Sequence, residues 1–120
     1  MKVILRVSKS FKRQAKPLLK KFSTLTKELS QLENELNVNP YLGKPLGKGS
    51  YKIRLAVKSK GKGKSGGLRV ITHLDIEIVG LIETEDDNII VNLITIYDKN
   101  ETASISDKEL RDLIKGLQNE

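Results

Sequence analysis

Ile89-Ile-Val-Asn-Leu-Ile-Thr-Ile-Tyr97 is nearly continuous Ile, Val and Leu. Such a run predicts a central strand buried on both faces, and a central strand needs neighbours. Upstream, across an acidic turn at Glu83 to Asn88, Leu68 to Val79 keeps strand character. Leu68, Val70, Thr72, Leu74 and Ile76 there oppose Arg69, Ile71, His73, Asp75 and Glu77. Tyr51 to Val57 alternates cleanly, with Tyr51, Ile53, Leu55 and Val57 on one side and Lys52, Arg54 and Ala56 on the other. It reads as a half-buried strand with a cationic outer face. Lys2 to Val7 is a short strand rich in Val and Ile.

Helical periods fill the remainder. From Ser8, the residues Phe11, Ala15, Leu18, Leu19 and Phe22 recur at helical spacing, with lysines mostly opposite. Pro17 lies inside this pattern and is expected to kink or reset the helix. Ser23 or Thr24 then caps a second helix carrying Leu25, Leu29, Leu32 and Leu36. Asn37 to Ser50, punctuated by Pro40, Gly43, Pro45, Gly47 and Gly49, reads as a connector. Lys58 to Gly67 holds no apolar residue and cannot support a core. Ser106-Asp-Lys-Glu109 is a capping box that opens a last helix with Leu110, Leu113, Ile114 and Leu117. The expected architecture is one α+β domain over residues 1–120 in the order β-α-α-β-β-β-α. It has a small antiparallel-dominated sheet, an N-terminal helical hairpin and a C-terminal helix, with the helices segregated to one side.

Composition narrows the chemistry. The 120 residues include 22 Lys and Arg against 15 Asp and Glu, a net charge of +7, with one His and no Cys. Disulfides, thiolate metal sites and Cys nucleophiles are excluded, and a single His excludes two-His metal motifs. The longest stretch free of Asp, Glu, Lys and Arg, Asn88 to Tyr97, is half a membrane span, and Met1 to Arg6 is too short for a signal peptide's apolar region. A cytoplasmic protein without membrane partners is expected. The charge is uneven. Residues 1–72 hold 18 Lys and Arg against 3 Asp and Glu, a net of +15, and residues 73–120 hold 4 against 12, a net of −8. Lys44 to Arg69 contains nine basic residues and no acid. Such a block suits a phosphate backbone, with affinity that falls steeply with salt, and equally suits a solvated loop.

Individual motifs are weaker. Gly61-Lys-Gly63-Lys-Ser-Gly66 matches a dinucleotide fingerprint literally, but strand residues follow it where a helix is required. A Walker A loop fails because Lys58 stands where its first glycine belongs. The glycines instead leave backbone amides open to phosphates beside lysines. His73 is the only side chain with an unperturbed pKa near neutrality. Five aromatics, Phe11, Phe22, Tyr41, Tyr51 and Tyr97, are too sparse for a base-stacking platform. Glu83, Glu85, Asp86 and Asp87 form an acidic turn without calcium-loop spacing.

Four segments carry a resemblance. Leu46-Gly47-Lys48-Gly49-Ser50-Tyr51-Lys52-Ile53-Arg54, followed by Lys60-Gly-Lys-Gly-Lys-Ser-Gly-Gly-Leu-Arg69-Val-Ile, resembles the RelE/HigB-like toxins of bacterial type II toxin–antitoxin modules. Leu93-Ile-Thr-Ile-Tyr97-Asp-Lys99-Asn-Glu and the helix start at Ile105-Ser106-Asp-Lys-Glu109 fit the same family in order and spacing. The resemblance implies a RelE/ParE-like fold and a metal-independent, ribosome-dependent messenger-RNA endoribonuclease that inhibits translation. It also implies a cognate antitoxin, with ribosome and message as the other partners, and no cofactor. Arg69 matches the family's sheet arginine and is the expected phosphate stabiliser, because guanidinium stays charged and forks onto phosphate. Lys64, Arg54 and Lys99 are further catalytic candidates, a cation-crowded lysine being able to serve as base. Lys52, Lys58, Lys60 and Lys62 are expected to track the RNA backbone. Many relatives carry tyrosines just after the Arg-Val step where this chain has Thr72 and His73, which makes His73 a candidate for an acid/base or stacking role. Some relatives of similar fold act on DNA gyrase without cutting anything, so a non-catalytic toxin is an alternative, as is a basic RNA-binding module.

Overall fold

The computed structural model describes residues 2–61, 67–77, 87–102 and 104–120. The chain runs β1 (Lys2–Val7), α1 (Lys9–Lys21), α2 (Leu25–Val38), β2 (Lys44–Gly47), β3 (Ser50–Leu55), a 3-10 turn (Lys58–Lys60), β4 (Leu68–Glu77), β5 (Asn88–Asp98) and α3 (Asp107–Leu117). The five strands form one mixed sheet in the order β1-β5-β4-β3-β2. The Ile/Val/Leu run is β5, which lies between β1, its parallel partner, and β4, its antiparallel one. The other pairings are antiparallel. Burial on both faces explains why β5 does not alternate.

One expectation on order is corrected. The stretch Asn37 to Ser50 is not only a connector, because Lys44–Gly47 pairs with β3 and makes the order β-α-α-β-β-β-β-α. The hairpin that joins β2 to β3 turns through left-handed backbone at Gly47, Lys48 and Gly49, with φ of 85°, 56° and 74°. Two of the three are glycine, which adopts this region without a Cβ clash. Gly43 is fixed by contact as well as by its φ of 104°, since a Cβ there would stand 2.6 Å from the Lys52 carbonyl oxygen.

The helices also divide differently from expectation. Phe11, Ala15, Leu18, Leu25, Leu32 and Leu36 of α1 and α2 share a core with Ile53, Leu55, Leu68, Val70, Val91 and Ile96 of the sheet. Leu110 of α3 packs instead with Ile71 and Ile94, joined by Leu113, Ile114 and Leu117. Val70 and Ile71 are adjacent in β4 and face opposite ways, so α3 covers the face opposite the hairpin. A register shift in the β4–β5 ladder leaves Ile94 as the extra residue that reaches α3.

Local signals fix the helix ends. Ser8 is the N-cap of α1, its hydroxyl accepting from Phe11 N–H at 3.0 Å and donating to the Ile94 carbonyl at 3.2 Å. This ties the helix start to β5. Pro17 does not reset the helix: α1 is continuous from Lys9 to Lys21, with Pro17 exposed and Leu18 buried. Thr24 stands at the N-cap of α2, but its hydroxyl bonds Glu28 and Ser59 and so docks the 3-10 turn on this helix. The capping box of α3 forms as read, Ser106 accepting from Glu109 N–H at 3.1 Å. Ile78 and Val79, and the acidic residues Glu83, Glu85 and Asp86, lie outside the described residues, whereas Asp87 is buried. No helix among the described residues is long and apolar enough to cross a membrane.

Candidate functional site

Cross-strand register assembles a cationic surface on the α3 side of the sheet. Arg54 lies opposite Arg69, and Arg69 opposite Tyr97, forming one row across β3, β4 and β5. The next row is Lys52, Ile71 and Thr95, with Lys44 of β2 beyond Lys52 at the edge. A third row holds Ser50, His73 and Asn92. Alternation places these residues on the face opposite the α1–α2 core. Directly opposed side chains approach to roughly 5 Å and diagonal ones to about 7–8 Å, so the cations act on one another.

Lys52 records that crowding. Burial lowers its proton affinity, and the charges of Lys44, Arg69, Arg54 and Lys99 lower it further. Lys99 sits just past the end of β5 and reaches this group. Arg69 is buried, at 3% exposure, and its Nη1 donates to the Leu68 carbonyl at 3.2 Å. Arg54, Lys44 and Lys99 are exposed. A shallow cleft of about 320 Å³ opens at the β3 edge, lined by Lys44, Lys52 and Arg54 with Glu35 of α2.

Tyr97 completes the row. Burial raises its phenol pKa, Arg69 opposes that rise and Glu109 of α3 adds to it, so the group stays protonated. Its hydroxyl is buried without a hydrogen-bond partner. The spacing of the sequence did not mark Tyr97 as part of the site; only its position opposite Arg69 does.

His73 is on the same face at the margin of the cluster, a diagonal neighbour of Lys52 at about 7–8 Å. It is four residues from Arg69, roughly 13 Å along the strand. Its Nδ1 lies 3.8 Å from Asp75 Oδ1, too long for a hydrogen bond. Asn92 Nδ2 donates to the His73 carbonyl and to Asp75 Oδ2, both at 3.2 Å, and so holds this end of the sheet together.

The 3-10 turn belongs to the other face. Lys58 N–H donates to Glu28 Oε2 at 2.6 Å, and Lys60 Nζ pairs with Asp98 Oδ1 at 3.0 Å, both ends almost fully buried. Asp98 lies opposite Leu68, whose side chain is in the α1–α2 core. Burial alone would push the Asp98 carboxyl up, but Asn100 N–H, Lys60 and Lys21 outweigh it and hold the pKa below the usual range. Lys60 is therefore occupied by a structural ion pair, away from the Lys52 cluster. Lys62 and Lys64 lie outside the described residues. The structure thus brings together Arg69, Arg54, Lys99 and Lys52, leaves His73 diagonal to Lys52 but apart from Arg69, and separates Lys58 and Lys60 from the group. Among the described residues no group of three or more His, Asp or Glu is placed to hold a metal ion.

The arrangement offers an amine of lowered pKa in Lys52, a buried phenol in Tyr97 and fixed positive charge from Arg69 and Arg54. No protein-family model matches the chain, and no curated protein matches it either.

Proposed function

We propose that the chain is the toxin of a type II toxin–antitoxin module, a metal-independent endoribonuclease that cuts messenger RNA on the ribosome. One observation carries the reading: strand register sets Lys52 beside Lys44, Arg54 and Arg69, and its burial together with these charges and Lys99 lowers its pKa, the direction a general base needs. In the reaction, the ribose 2′-oxygen attacks the adjacent phosphorus while Lys52 takes its proton, and the 5′-oxygen leaves. The pentacoordinate phosphorane gains charge, which Arg54 meets directly and Arg69 meets as a preorganised cation beneath the surface. Water protonates the leaving oxygen, because the Tyr97 hydroxyl in that row is buried. The antitoxin supplies a segment that masks the cations.

The test is 5′-end mapping of a message in a defined bacterial translation reaction, with and without ribosomes. New ends that need ribosomes, keep codon phase and vanish with Arg69→Ala and Lys52→Gln are the expected result. Well-folded native protein that yields no new ends at low and moderate salt overturns the nuclease reading. It would leave the basic face as a binding surface only.

A further inference from the structure

A second surface lies far from the cation cluster. Between the end of β1, α1 and α2 runs an open groove of about 570 Å³ with an apolar lining of Val7, Phe11, Ala15, Leu19 and Leu29. Phe11 and Ala15 at the bottom are 4% and 3% exposed, whereas Val7 and Leu19 on the walls are 42% and 39% exposed. Lys12, Lys16 and Lys20 recur every fourth residue along the rim. That spacing aligns them on one side of the helix. The whole of α1, Lys9-Ser-Phe-Lys-Arg-Gln-Ala-Lys-Pro-Leu-Leu-Lys-Lys21, contains no acidic residue.

We infer that this groove seats an acidic amphipathic helix of a partner protein, with apolar residues on the floor and carboxylates against the lysine rim. An apolar trough beside one α-helix is the geometry that accepts another helix through residues spaced at i, i+3 or i+4 and i+7. The part of α1 that lines the groove, Phe11 to Lys20, gives a seat about 15 Å long, nearly three turns. Charge selects the occupant. A second copy would bring its own acid-free α1 against this one, lysine against lysine. The chain's other amphipathic helices already bury their apolar stripes, α2 in the shared core and α3 on the far face of the sheet. A bilayer is flat and cannot reach a recessed floor. Nucleic acid finds no polar partner on an apolar floor. The proposal does not rest on the nuclease reading. The groove adjoins edge strand β1 on the α1–α2 face, whereas the cation cluster occupies β3 and β4 on the other face.

The experiment uses the full chain and two labelled synthetic peptides of about four turns. Both carry the same leucine stripe; one has Glu and the other Lys at all flanking positions. Binding is read by fluorescence anisotropy, with sedimentation for self-association and flotation with phosphatidylglycerol vesicles alongside. The expected result is that the Glu peptide binds at least about tenfold more tightly than the Lys peptide. Leu19→Asp is expected to remove that binding, with an unchanged circular dichroism spectrum because Leu19 is part of the wall and not of the buried core. Lys12→Glu with Lys16→Glu is expected to reverse the preference. Equal binding of the two peptides, no binding of either, or indifference to Leu19→Asp overturns the proposal. So does self-association, or vesicle capture, that Leu19→Asp abolishes.

Discussion

Lys52 is a cation placed among cations, and its cost to the fold depends on pH. Its folded pKa is lowered by burial and by Lys44, Arg69, Arg54 and Lys99, whereas the unfolded chain titrates it near the ordinary value of about 10.4. Between those two values the unfolded state holds more protons, so stability rises with pH there. Below the folded pKa the full penalty of charging Lys52 remains. Lys52→Gln is therefore expected to be more stable than the native chain at neutral pH, with the advantage shrinking as pH climbs towards about 10.4. Thermal melts of both proteins across that range check this, and a constant gap contradicts it. The sequence showed Lys52 and Arg54 two residues apart on an outer strand face, where Arg54 reads as a catalytic candidate and Lys52 only as backbone tracking. What makes Lys52 distinctive comes from Lys44 on one side and Arg69 on the other, set by strand register and invisible to spacing. Arg69 was legible through the resemblance, yet its burial was not. Tyr97 escaped notice because its partner is 28 positions away in sequence and directly opposite in the sheet.

Among the elements, α1 carries an evident defect. Pro17 has no N–H for the Arg13 carbonyl and its ring crowds that carbonyl, which costs about 3 kcal/mol in a helix interior. The helix continues because Leu18 and Ala15 are buried in the shared core and hold it in place. Pro17 is exposed, so Pro17→Ala loses no buried contact. The variant is expected to gain about 1–3 kcal/mol and melt several degrees higher. Calorimetry decides it: an unchanged or lower melting temperature means that the helix draws no cost from Pro17. The same element shows where local rules stop. Its period was plain, but of the kink or reset that the proline rule allows, the reset does not occur and the helix runs on through Pro17. Strand β2 was missed for a related reason, since Lys44-Pro45-Leu46-Gly47 has the composition of a turn and becomes a strand only because β3 offers an edge. The face taken by α3 was also unreadable: its period shows that it has an apolar stripe, while the odd-numbered Ile71 and the extra residue Ile94 determine where the stripe docks.

For the whole molecule, the division of charge along the chain does not become a division in space. β5, from the acidic part of the sequence, lies between β1 and β4, and β1 belongs to the basic part. Two groups of basic residues stand apart among those described: Lys44, Lys52, Arg54 and Lys99 near the buried Arg69, and Lys12, Lys16 and Lys20 of α1 beside the groove. If the first population is the RNA footprint, binding to a single strand should lose affinity with salt at a slope of about 0.7 per neutralised phosphate. Four accessible cations then give a log–log slope of about −3. Lys44→Gln with Arg54→Gln should reduce its magnitude by about 1.4, whereas Lys12→Gln with Lys16→Gln, which removes the same charge from α1, should leave it nearly unchanged. Anisotropy of a labelled oligonucleotide over a salt series measures both. Equal losses from the two double variants would mean that RNA senses net charge and no particular surface. Unequal losses in the stated direction localise the footprint to the α3 side of the sheet, leaving the α1 groove free to hold a protein partner while RNA is bound.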